Sequence, residues 1–223
     1  MVDTSEPPLV PHRACGDCNV CCVALTIDDP ALQKPQGYRC RNTLPNKGCA
    51  IYETRPTTCS TFYCGWRTLK WIREPLRPDT SQVLVRMRYL VSAETGAAQG
   101  GVIFTFLSNA GLKAEGLAES VAAAVAADLP VWIHVPGPPG YTSSEARIDE
   151  VLRNAVITKD KKAVLDVLRR AHAQGRSGPR TPIVLKHAAG RDREGRDQGR
   201  RDQAGRDDAG HDHGERGAGD HTA

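Results

Sequence analysis

Four cysteines fall within eight residues in the stretch CGDCNVCC, from Cys15 to Cys22. Cys15, Cys18 and Cys21 form CxxCxxC, a spacing that lets successive thiolates converge from one tight loop. Small ferredoxins begin their ligand-bearing run in the same way, although the Cys-Pro that ends that run is absent here. Cys21 and Cys22 are adjacent, so their side chains leave the backbone in different directions. In a helix, Cys15, Cys18 and Cys22 would share a face and Cys21 would point away. One of the pair is then left for a second atom, or to support the first. The later cysteines, Cys40, Cys49, Cys59 and Cys64, are spread out, and no second CxxC completes a zinc-ribbon tetrahedron. Spread ligands suit a larger or irregular centre, which favours iron–sulfur slightly over zinc and leaves both open. A set of buried, unligated thiols is the weaker reading, because core cysteines do not cluster in this way.

The surroundings of these cysteines agree with metal chemistry. The start of the chain has no apolar run resembling a signal peptide, and no stretch of about 18 apolar residues follows that could span a bilayer. The expected compartment is the reducing cytoplasm, where dense cysteines point to metal or redox chemistry before disulfides. From Arg13 to Arg73 there are nine Lys or Arg against Asp17, Asp28, Asp29 and Glu53. That excess would offset the negative charge of ligating thiolates; a solvated basic face accounts for it equally well. The overall formal charge of +4 implies no partner by itself.

A second informative stretch, GCAIYETRPTTCSTFYCGW, runs from Gly48 to Trp66. Pro56 suits the first turn of a helix, and Cys59 just after it would lie near N–H groups that favour a thiolate. Arg55 is placed to donate to thiolates or cluster sulfides, to cap a turn or to pair with Glu53. Together, CGDCNVCC, the isolated Cys40 and GCAIYETRPTTC resemble the YkgJ-type cysteine-cluster family, described as a zinc- or iron-chelating domain. The resemblance covers residues 13–66. It implies a metal-binding set of Cys15, Cys18, Cys21, Cys22, Cys40, Cys49 and Cys59, with Cys64 outside the shared core. The family also includes flagellin lysine methylases, which implies an enzymatic alternative.

The remaining chain must position this cluster. Val83, Val85, Met87, Tyr89 and Val91 alternate with Arg86 and Arg88 as in a half-buried strand. GGVIFTFL (100–107) and VWIHV (131–135) read as further strands. Helices are expected around Leu117, Val121 and Val125, around Ile148, Val151, Leu152 and Ala155, and around Val164, Val167, Leu168 and Ala171. Thr158 is expected to cap the last of these and Gly175 to stop it. From Gly190 the chain becomes a GRD-rich polyampholyte with almost no large apolar residue, expected to be disordered. Its arginines and acids nearly cancel, a poor composition for a nucleic-acid arm. Its His211 and His213 are read as solvated.

The expected fold class is therefore α+β: an N-terminal extension (1–12), an irregular cysteine-rich, metal-organised module (13–78), a small strand-and-helix domain (79–175) and a disordered tail (176–223). VSAETGAAQGG reads as a hairpin loop, against a methyltransferase-like cofactor loop, because a strand and not a helix follows it. His134 and the PGPPG loop (136–140) are weak candidates for lining a pocket. Trp66 and Trp71, between Arg67, Lys70 and Arg73, read as packing rather than as stacking platforms for bases. The leading function is a cytoplasmic protein that carries an iron–sulfur cluster or zinc, in a redox, metal-handling or accessory role. The alternatives are a metal-dependent enzyme, oxidoreductase or protein lysine methylase-like, and a zinc-folded interaction protein. The expected partner is a metal ion or cluster, with no membrane.

Overall fold

A computed structural model of the chain describes residues 8–44, 48–91 and 96–186. The alternation from Val83 produces a long strand, β5 (Val83–Val91), which pairs antiparallel with β6 (Ala98–Phe106) as a hairpin. Its loop residues 92–95 lie outside the described residues. β6 runs parallel to β7 (Val131–Val135), which requires a crossover; the alanine-rich α5 (Leu117–Ala126) lies in that connection. A short antiparallel strand, β8 (Ser144–Arg147), completes the four-stranded order β5-β6-β7-β8. The four residues SEAR, with alanine their one apolar member, carry no apolar alternation of their own, and β8 is a strand because β7 offers it a free edge.

One sheet face bears Val83, Val85, Val102, Phe104, Phe106, Val131, Ile133 and Val135, all buried. Against it pack α5, α6 (Asp149–Ile157) and α7 (Lys161–Ser177), through Leu117, Val121, Leu152 and Leu168. Burying each such side chain is worth about 1.5–3 kcal/mol, so this layer stands on apolar packing. Trp66, Ile72 and Leu76, from the stretch assigned by sequence to the cysteine module, are buried in the same cluster. Arg13 fastens them: its guanidinium donates to the carbonyls of Trp66, Leu69 and Ile72 and to the Glu74 carboxylate. Val10 is also buried, and its N–H donates to Arg67 O at 2.7 Å, so the last part of the expected N-terminal extension belongs to the folded structure.

Three local expectations are corrected. Asp160, not Thr158, caps α7, accepting from Ala163 N at 2.9 Å; the Thr158 hydroxyl instead donates back to Asn154 O at the end of α6. Gly175 does not stop α7, which continues to Ser177. Its missing side chain serves close packing, because a Cβ there would stand 2.7 Å from Val135 Cγ2. The expected tail also begins too early: Thr142 N donates to Thr181 O and Ile183 N to Gly140 O, each at 2.8 Å, laying residues 181–183 along 140–142. The GRD-rich segment with His211 and His213 lies outside the described residues. Among the described residues no helix is long and apolar enough to cross a membrane.

Candidate metal centre

The cysteine segment consists of turns, two-strand ribbons and single helical turns. Cys18 N donates to Cys15 O at 2.8 Å, closing a turn in which Gly16 takes φ 53°. α1 (Cys21–Ala24) then supplies one helical turn. CGDCNVCC is therefore a turn followed by a helix start, not the continuous helix in which Cys15, Cys18 and Cys22 would share a face. β1 (Ile27–Asp29) and β2 (Leu32–Lys34) make one ribbon, and β3 (Thr43–Leu44) pairs with β4 (Gly48–Cys49), setting Thr43 opposite Cys49. Gly48 comes close to the first loop: a Cβ on it would meet Gly16 O at 3.1 Å. α2 (Thr57–Ser60) follows Pro56 and carries Cys59; Cys64 precedes α3 (Gly65–Thr68).

These pieces bring all eight cysteines to the wall of one cavity of about 380 Å³. All eight are free thiols. The seven cysteines implied by the family resemblance are thus together, and Cys64, set apart by sequence, joins them. Arg55, Arg86 and His134 also line the cavity. The PGPPG loop does not; it holds the segment before Cys40 in place, with Gly140 N donating to Gln36 O at 2.9 Å.

Cys22 and Cys59 pack with Cys40, Ile27 and Leu32 in a small apolar cluster, while Cys64 packs on the main core. The charges of Cys22, Cys40 and Cys49 bear on Cys59, those of Cys15 and Cys18 on Cys64, and those of Cys22, Cys15 and Cys18 on Cys21. Between the adjacent pair, the Cys21 thiol donates to Cys22. That hydrogen bond favours the Cys22 thiolate, helped by Thr43 and by the charges of Lys34 and Arg55, and it keeps Cys21 protonated together with burial. Burial raises Cys18 and Cys59, and pushes Cys64 up to about 11.

Four cations attend the cysteines: Arg77 donates to Cys15 O at 3.1 Å and bears on Cys18, and Arg67, Arg55 and Lys34 lie nearby. Arg67, one turn beyond Cys64, places Nη1 3.6 Å from Cys15 Sγ. Arg55 stacks over the Tyr52 ring, donates to Tyr52 O and lends its charge to Cys22 and Cys59. Lys34 Nζ is held by the carbonyls of Val23, Leu25 and Pro35; burial lowers its pKa, and the negative charge that Cys40, Cys22, Cys21 and Cys59 carry when ionised opposes that.

The chain matches no family model, no curated protein and no solved structure. Among the described residues, no group of three or more His, Cys, Asp or Glu side chains stands in a metal-holding arrangement as the side chains lie. In donor type and number the cavity nevertheless suits thiophilic metals, since eight thiols are enough to meet the four-coordinate demand of zinc, or of iron in sulfide clusters, twice over. Sequence reading missed Lys34 and Arg67. The position of Arg67, three residues after Cys64, was the available signal.

Proposed function

We propose that this protein binds metal through its eight cysteines, as two four-thiolate sets, and that it is of the cysteine-cluster type it resembles. The observation that carries this reading is the convergence of cysteines spread over 50 residues of sequence, Cys15 to Cys64, on one cavity. Core packing alone gives no reason for such convergence, whereas thiolates that share a metal must meet. Cys15, Cys18, Cys21 and Cys64 would hold one centre, and Cys22, Cys40, Cys49 and Cys59 the other. Arg67, Arg55 and Lys34 would offset the negative charge that all-thiolate centres accumulate. Zinc at these positions would supply a structural cross-link, and iron–sulfur a one-electron redox couple. The spread of the later cysteines favours iron–sulfur.

The turns carrying the thiols have few regular hydrogen bonds, so rotation of the side chains about these short elements would close each set. Anaerobic purification followed by metal and acid-labile sulfide analysis tests the reading. Stoichiometric zinc, or iron with matching sulfide, is the expected outcome. Protein that is folded yet takes up neither metal, even after reconstitution with excess zinc or with iron and sulfide, would overturn it.

A further inference from the structure

The sheet has a second face, and it is turned to the cysteine loops. Cross-strand pairing sets Leu84, Thr105, His134 and Glu145 in one row and Arg86, Ile103, Trp132 and Arg147 in the next. Leu84, Arg86 and His134 from these rows line the cavity that the cysteines line from the other side. This wall carries orphaned polar atoms. His134 is 8% exposed and Thr105 is 1% exposed. Among the described residues, His134 Nδ1, Thr105 Oγ1 and Arg86 Nε are all buried without a hydrogen-bond partner. A buried polar group left unpaired destabilises the fold, and three on one patch are a large burden for a stretch that could have been apolar.

The charges on the patch are also unbalanced. Three guanidiniums, those of Arg86, Arg88 and Arg180, bear on His134. The carboxylate beside it is Glu145, 3.9 Å from His134 Nε2, and Glu145 is already held by Arg88 at 2.6 and 2.8 Å. Arg180 is occupied with Ser144 Oγ and Gly175 O, and Arg147 with Asp149. Among the described residues, Arg86 is left as the cation at the cavity wall whose Nε has no acceptor, Glu145 bearing on it through its charge alone.

We infer that the sheet wall of the thiol cavity binds the oxyanion group, carboxylate or phosphate, of a small organic molecule through Arg86, with His134 completing its hydrogen bonds. The guanidinium fork matches both oxyanions. A cavity of about 380 Å³ has room for more than the oxyanion, so the rest of the molecule would extend toward the thiols. Arg86, His134 and Thr105 sit on strands of the apolar-packed sheet and are positioned independently of metal loading.

Calorimetric titration of the full-length protein, as purified, with succinate and with glycerol 3-phosphate tests this and separates the two oxyanions. At least one should bind at a single site with Kd below about 1 mM and raise the melting temperature in proportion to the logarithm of its concentration. Arg86→Gln should weaken that binding about tenfold or more. Arg86→Lys, which keeps the charge and loses the fork, should fall between. Arg153→Gln, which removes a surface charge on α6, should bind as the wild type does. Should Arg86→Gln not fold, His134→Leu serves in its place, with a loss of about threefold or more expected. No saturable binding by either probe, or equal weakening by Arg153→Gln, would overturn the inference, as would undiminished binding to a folded Arg86 variant. Metal content measured on the same samples reports separately on the thiols.

Discussion

Arg67 Nη1 lies 3.6 Å from the sulfur of Cys15, a residue 52 positions earlier in the chain. The contact places a cation on the first thiol of the CxxCxxC loop from a helix whose own first neighbour is Cys64. A charge-assisted hydrogen bond of this kind is worth about 1–2 kcal/mol. Arg67→Met should therefore weaken zinc affinity by about 5- to 30-fold for one of the two sets, and Arg67→Lys should recover part of it. Competition with a chromophoric chelator would measure both. Unchanged affinity in Arg67→Met would mean that the thiolate needs no such neighbour.

The division of the thiols predicts half-losses. Cys64→Ser and Cys49→Ser remove one donor from different sets, so each should lower the metal-to-protein ratio by about half, and the double variant should leave little. Metal analysis on folded variants decides this. A Cys64→Ser protein with its full complement would return Cys64 to a packing role, as its place outside the family-like motif suggests.

Arg13 is 7% exposed and satisfies three carbonyls at the end of the cysteine segment. Arg13→Met keeps much of the packing volume but leaves those acceptors without their donor, which should cost about 3–5 kcal/mol. Glu74→Gln, which removes its exposed ionic partner, should cost no more than about 1 kcal/mol. Denaturant unfolding of the two variants would give the comparison, and similar losses would contradict it.

Burial, with the nearby charges of Arg86, Arg88 and Arg180, lowers the pKa of His134 to about 3. The folded protein thus keeps this imidazole neutral, while the unfolded chain takes up a proton below about pH 6.5. The contribution is intact above that pH and falls as pH drops toward about 3, by up to about 1.4 kcal/mol per pH unit. Between pH 7 and 5 the wild type should lose about 2 kcal/mol more stability than His134→Gln. Parallel losses in the two proteins would show that His134 is protonated in the fold.

What the sequence determined by itself lies in short-range patterns. The crowding of Cys15, Cys18, Cys21 and Cys22 pointed to thiolate chemistry, and period-two alternation from Val83 and the runs at 100–107 and 131–135 specified strands, because both are properties of neighbouring residues. Helical periodicity likewise placed α5, α6 and α7. The tertiary structure decided what depends on chain closure. Cys15 and Cys18 sit on a turn, and Cys21 and Cys22 open α1, so the four do not lie on one helix. Cys64 reaches the cavity because Arg13 and the buried Trp66 fasten its neighbourhood to the core. β8 exists because β7 has an edge to fill, and Gly175 continues a helix because Val135 leaves no room for a Cβ. Arg86 and His134 come from β5 and β7, and their meeting opposite the thiols follows from strand order and register, which no local spacing encodes.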